Sequence, residues 1–183
     1  MNRTKIISGI ELGSSKVTTL IAQVVKEENL MEQSVNVMGV ATSPSKGIKK
    51  GQIVNIDEAV EATISSVEAA ERMAGYNLNS AFISLGGANI HSQNSHGVVA
   101  VSDQNGEITE DDVDRVIDAA RAISIPQSRE VIHVIPREFI VDGESGVKDP
   151  TGMSGVRLEV ETHIITASDA AMKNLRKAVK DAA

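Results

Sequence analysis

Gly9-Ile10-Glu11-Leu12-Gly13-Ser14-Ser15-Lys16 is the stretch of this sequence whose residue types could handle a phosphate. A tight turn of glycine and hydroxyl residues aims successive backbone N–H groups into one concavity, and such a nest suits anionic oxygens. Lys16 adds a compact charge suited to a polyphosphate. Glu11, at the end of the strand entering the turn, could hold a magnesium ion through water. The candidate cofactor-binding residues are therefore Glu11, Gly13, Ser14, Ser15 and Lys16, with Glu11 also the candidate for indirect magnesium contact. The spacing is not that of a Walker loop. Ordinary hairpins share the short G-x-x-S-K pattern, so the turn alone leaves phosphate binding open. Gly86-Gly87 lacks the third glycine of a dinucleotide fingerprint and leads into a strand, which reads as a hinge between domains.

No other constellation points to catalysis. His91, His96, His133 and His163 fall in three expected strands, and a spacing of five puts His91 and His96 on opposite strand faces. A shared metal site is not expected from them. The acidic run Glu107 to Asp114 lacks ligand spacing and reads as a solvated helix start. With no cysteine in 183 residues, disulfides, thiolate metal sites and thiol catalysis are excluded, which fits a reducing cytoplasm. The net charge of −7 argues against a nucleic-acid partner. Residues Met1–Lys5 and the short apolar run after them form neither a signal peptide nor a membrane span, so a cytoplasmic location is expected.

The elements that must position these residues are legible in outline. With two Phe, one Tyr and no Trp, the core must come from Val, Ile, Leu, Ala and Met. Lys5–Leu12 and Lys16–Val25 read as a hairpin closed by Gly13-Ser14-Ser15. Val35–Thr42 reads as a third strand, followed by the loop formers Ser43–Gly47. Asp57 is the expected cap of a helix running to Ala74, with Val60, Ile64, Val67, Ala70 and Met73-Ala74 on its buried face and Gly75 as its stop. Ala81–Leu85 is a short apolar strand. A second module starts near Gly86: strand Ile90–Val101, a turn at Asp103-Gln104-Asn105-Gly106, then a helix opened by a Thr109–Asp112 capping box. Val113, Val116, Ile117, Ala120 and Ile123 form its apolar side, and Pro126 lies past its end. Glu130–Asp142 carries Pro136 in mid-strand, which predicts an edge or a bulge. Val156–Ala167 is the last strand. Ser168 or Asp169 caps a final helix with Ala171, Leu175 and Val179 along one side.

The sequence resembles the FtsA family of actin-like cell-division proteins. The resemblance rests on GIELGSSKV at 9–17, PSKGIKKGQIVNID at 44–57, ISLGGANIHSQNSHGVV at 83–99 and EITEDDVDRVIDAARAI at 107–123. It continues through REVIHVIPREFIVDG at 129–143 and DPTGMSGVRLEVETHIIT at 149–166. The first motif is shared with actin, Hsp70 and sugar kinases, whereas the last two are specific to FtsA. The resemblance implies an α/β (α+β) fold. Residues 1–85 would be the first part of an actin-like, ribonuclease H-like subdomain 1A. Residues 86–167 would be an SHS2 (strand-helix-strand-strand) subdomain 1C, and 168–183 a helix beginning the return to 1A.

It also implies ATP with magnesium as cofactor, Gly13–Lys16 as the first phosphate loop and Glu11 near the magnesium. ATPase activity in the family is at most weak. Subdomain 1C would serve self-association and the recruitment of later division proteins, and the protein would act at the inner face of the membrane at the division site. In the family, contacts with FtsZ and membrane lie in subdomain 2B and a C-terminal helix. Neither these nor a second phosphate loop is found among these residues, so weak or undetectable ATP binding by this chain alone is expected. The alternatives are a PilM-like pilus-assembly protein and a small-molecule kinase of the same superfamily. Arg129, Arg137 and Phe139 are the sparse candidates for interface anchors on 1C.

Overall fold

The computed structural model describes residues 3–26, 33–103 and 105–182. Met1 and Asn2 of the expected leaderless start, Gln104 of the expected turn and Ala183 of the final segment lie outside them. The chain forms two compact units, residues 1–89 with 170–183 and residues 90–169. Both mix strands with helices, giving the expected α/β class. No described helix is long and apolar enough to cross a membrane.

In the first unit, β1 (Arg3–Leu12) and β2 (Lys16–Lys26) form the expected antiparallel hairpin, closing at Leu12 opposite Val17. β3 (Gln33–Pro44) continues the sheet antiparallel to β2. Two short strands, β4 (Ile48–Lys49) and β5 (Gln52–Ile53), pair as a small hairpin. The helix α1 (Ile56–Ala74) follows, and then β6 (Phe82–Ser84) pairs parallel to β1 through Gly9–Glu11. The sheet order is β3-β2-β1-β6.

Helix α1 starts two residues earlier than expected. Asn55, not Asp57, is its cap: the Asn55 Oδ1 accepts the N–H groups of Asp57 and Glu58 at 3.1 and 3.3 Å. Asp57 and Glu58 instead place their charges in the first turn, where the helix dipole favours them. Gly75 is the stop as expected, left-handed at φ 63° with its N–H on Glu71 O.

The buried face of α1 is rotated from the expected one. Ala59, Ala62, Thr63, Ser66, Val67 and Ala70 face inward, while Met73 is 62% exposed. Gly39 gives the reason: a Cβ there would stand 2.5 Å from the Ala70 carbonyl oxygen. The helix lies so close to β3 that small residues must face the sheet. Buried hydroxyls fill part of the contact, with Ser66 donating to Thr19 Oγ1 at 2.9 Å and Ser43 to the Ala62 carbonyl. The apolar core joins Ile10, Leu12, Val17 and Ile48 to this helix and to Leu175 and Ala178 of α3 (Asp169–Lys180).

The second unit consists of β7 (Ile90–Ala100), α2 (Glu110–Arg121), β8 (Arg129–Val141), β9 (Glu144–Val147) and β10 (Arg157–Ser168). Its sheet order is β7-β10-β8-β9, antiparallel throughout. The central strand β10 buries alternate residues from Leu158 to Thr166, as a strand under a helix must. Helix α2 packs Val116 and Ala120 with Ile108, Phe139, Val141, Leu158 and Val160. Gly97 allows the approach here, since its Cβ would meet Val116 O at 2.4 Å.

Pro136 sits at a bulge. The β8–β10 register slips between Glu161 and Thr162, leaving Arg137 between the paired residues Pro136 and Glu138. The short strand β9 pairs only near Phe139–Val141, so Pro136 has no strand on its outer side and its missing N–H costs no ladder bond.

Candidate functional site

Strands β1 and β6 are parallel neighbours, and their carboxyl ends fall at Leu12 and Ser84. Loops leaving the carboxyl ends of parallel strands are where α/β sheets bind ligands. A cleft of about 430 Å³ lies there, within the first unit. Glu11, Gly13 and Ser14 line one side, Gly51 another, and Ser84, Gly86 and Gly87 a third, with Leu175 also in the wall. Of the residues singled out in the sequence, Glu11, Gly13 and Ser14 thus share the cleft. Ser15 and Lys16 are exposed on the same turn but outside its lining.

The turn divides its donors. The Gly13 N–H closes the hairpin by donating to Lys16 O at 3.0 Å. Gly13 therefore supplies shape, and a Cβ there would stand 2.8 Å from that same oxygen. The N–H groups of Ser14 and Ser15 meet no acceptor among the described residues. Ser14 Oγ accepts the Gly51 N–H at 2.9 Å, which leaves its own hydrogen free to donate. Ser15 is tied down through its carbonyl, which accepts the Ser45 N–H at 3.1 Å.

Glu11 belongs to a polar row across the sheet. Register places Thr42, Thr18, Glu11 and Ser84 side by side on neighbouring strands. Residues in direct register point to one face. The Thr18 Oγ1 is buried and hydrogen-bonds to nothing among the described residues. A carboxylate at the strand end, free N–H donors and a free hydroxyl hydrogen fit an anionic, cation-accompanied ligand such as a magnesium polyphosphate.

The sequence reading missed Gly51, Ser84 and Leu175, whereas Gly86-Gly87, read as a hinge between domains, lies just before the unit boundary after Asn89 and also lines the cleft. Gly87, left-handed at φ 78°, lies against the Lys50–Gly51 backbone, where a Cβ would meet Lys50 O at 2.8 Å. Two glycine-bearing segments that sit some 36 positions apart in sequence (51 and 87) meet here by tertiary packing. Only the glycines themselves could have signalled it.

Among the described residues no cluster of three or more His, Asp or Glu could hold a metal ion. His96 and Glu159 pair across β7 and β10 at 2.9 Å, and His163 Nδ1 lies 2.8 Å from Asn94 Oδ1. His91 and His96 sit five registers apart on an unbroken ladder, hence on opposite faces. Of the suggested anchors, Phe139 is in the core and Arg129 bonds Thr166 at Oγ1 and the carbonyl, both structural roles. Arg137 is exposed at the bulge.

The dominant charge of the second unit is internal. Asp112 is fully enclosed and completes the capping box of α2 with Thr109. Burial alone would raise its pKa, but hydrogen bonds from Thr109 and Ser102 outweigh burial and lower it to about 2.

Comparison with known proteins adds three findings. Residues 87–166 match the family described as the SHS2 domain inserted in FTSA. The whole chain is similar to cell division protein FtsA of Borreliella burgdorferi, 44% identical over 182 residues, which is 100% of this chain and 43% of that protein. The Bacillus subtilis FtsA is 40% identical over 100% of this chain and 40% of its own length. That of Escherichia coli K12 is 35% identical over 96% and 40%. The chain thus spans about two fifths of the length of the curated relatives it matches. Among solved structures, a chain of a PilM–PilN type IV pilus biogenesis complex superposes with a TM-score of 0.57 at 13% identity, covering 96% of this chain and 44% of that one. At that identity the likeness concerns the fold alone.

Proposed function

We infer, from the SHS2 domain of FtsA carried at residues 87–166 and the likeness of the whole chain to FtsA proteins, that this is an FtsA-like protein of bacterial cell division. It works as a binding and scaffold protein in which one unit takes a nucleotide and the other takes protein partners. The observation that carries this reading is the SHS2 match, because the same residues fold into their own strand-helix-strand-strand core. Identities of 35–44% to division proteins outweigh a 13% fold likeness to a pilus protein in deciding between the two kinds of partner.

The nucleotide reading is supported by the cleft. When bound, ATP with magnesium would supply a polyphosphate and a hard cation. Ser14 and Ser15 N–H groups and the Ser14 hydroxyl would bind phosphate oxygens, Lys16 would add charge from the rim, and Glu11 would hold a hydrated cation. Binding rather than turnover is proposed for this unit. One wall of donors provides only part of what holds a nucleotide, and weak affinity is the expectation.

The second unit is proposed to carry self-association and contacts with other division proteins. FtsZ contact, membrane attachment and location at the inner membrane face remain proposals for the family protein as a whole. A direct test is a pull-down with the purified full chain against a second copy, cytoplasmic segments of division proteins and a PilN-type peptide. Retention of a division protein or of the second copy supports the reading. Retention of the pilus peptide alone overturns it.

A further inference from the structure

The small hairpin β4–β5 is held more firmly than a surface turn requires. Lys49 pairs with Gln52, so Lys50 and Gly51 are the whole loop. Both have positive φ, 51° and 73°. That is the pattern of a type I′ turn, which favours Asn, Asp or Gly at its first position. The second unit builds the same kind of turn at Asp142–Gly143, with φ 48° and 94°, and there the first residue is the favoured Asp. Lysine gains nothing from left-handed backbone and is strained in it.

The strained turn is clamped at the cleft from several sides. The Gly51 N–H donates to Ser14 Oγ at 2.9 Å, and Gly51 itself lines the cleft. Gln52 Nε2 donates to Asn89 Oδ1 at 3.1 Å, with Asn89 buried beneath the turn. The Lys50–Gly51 backbone lies against Gly86–Gly87, where a Cβ on Gly87 would stand 2.8 Å from Lys50 O and one on Gly51 3.2 Å from Gly86 O. Lys50 is exposed and makes no ion pair among the described residues, as is also true of Lys16 at the end of the Ser14–Ser15 turn. A cation with no partner, on a backbone that disfavours it, beside unused N–H donors, is an arrangement that a bound anion would complete.

We propose that the Lys50–Gly51 turn is the second wall of the polyphosphate cleft, its ammonium meeting phosphate oxygens held by the Ser14–Ser15 turn. The inference rests on the nucleotide reading above and adds a specificity element to it. Cations on two separate turns favour an extended polyphosphate over a single phosphate, since a chain of phosphates can meet both.

Amide NMR on the full chain tests this, titrating inorganic tripolyphosphate, and separately magnesium ATP, into the millimolar range. The amides of Ser14, Ser15 and Gly51 are expected to shift together with one affinity. Lys50→Asn should bind about tenfold more weakly, the worth of one charge-assisted contact. It should also melt higher, because Asn suits the turn. Lys50→Arg should keep most of the affinity, and Lys5→Ala, on the other end of β1, all of it. If Ser14 and Ser15 shift but Lys50→Asn binds like the parent, the turn is scaffold and this inference falls while the nucleotide reading stands. If neither probe shifts Ser14 or Ser15, both fall.

Discussion

Replacing Asp112 by alanine removes the acceptor on which the start of α2 is built. Its Oδ1 takes the Ser102 N–H at 3.1 Å, the Ser102 hydroxyl at 2.8 Å and the Arg115 guanidinium at 2.7 Å. Its Oδ2 takes the Thr109 N–H at 3.1 Å and the Thr109 hydroxyl at 2.8 Å. The hydroxyls and Arg115, which is 41% exposed, can turn to water. Ser102 and Thr109 are exposed as well, so their N–H groups also reach water, and each bond lost costs about 0.5–1.5 kcal/mol net. Adding the lost cap gives an expected destabilisation of about 2–4 kcal/mol. A domain of this size has about 4–12 kcal/mol in total.

The acid dependence follows from the same bonds. The folded pKa of about 2 lies below the ordinary 3.8, so the carboxylate's contribution is fully present above the higher value. It is lost as pH falls from there through about 2. At most about 2 kcal/mol is involved, less whatever water and salt screen at the exposed start of the helix. Hydrogen exchange followed by mass spectrometry reports on peptides of residues 90–169 separately from the rest of the chain. Asp112→Ala should accelerate exchange across β7 and β10 and reduce the stability loss of this unit between pH 4 and pH 2, leaving the part that Asp149, held down by Thr151, contributes. A destabilisation below about 1 kcal/mol, or an unchanged acid response, would refute the assigned role.

Helix approach should be equally sensitive. Gly97→Val places side-chain atoms where the Val116 carbonyl stands, and a loss of about 3 kcal/mol or more is expected by urea denaturation. Gly39→Ala should cost about 1–3 kcal/mol in the first unit by the same measurement, leaving exchange in residues 90–169 unchanged. Asn55→Ala should cost about 1 kcal/mol, and Asp57→Ala less, since the first removes the cap and the second only a favourable charge.

Much of this fold is legible because local signals carry it. The β1–β2 hairpin, the Thr109–Asp112 capping box, Gly75 as a helix stop and the Pro136 bulge each follow from residue types over a few positions. What escaped depends on distant partners. The strands β4 and β5 are two residues each, too short for any alternation to show. Strand β9 holds two glycine- or serine-bearing positions among four and reads as loop. The rotated face of α1 could not be read from its own periodicity, because Gly39, far upstream, fixes how close the helix comes. The candidate site was half visible for the same reason. Glu11–Lys16 announced themselves as a contiguous turn, whereas Gly51 and Gly86–Gly87 join them only once the sheet has formed.

The central claim is that this chain is a division scaffold whose SHS2 unit engages division proteins. The most direct measurement is retention of purified division-protein segments, and of a second copy, by the immobilised full chain, beside its Gly97→Val variant. The account predicts retention by the parent chain and its loss in the variant, with the first unit still folded by hydrogen exchange. Retention that survives the collapse of residues 90–169, or retention of a pilus peptide in place of any division protein, would contradict it.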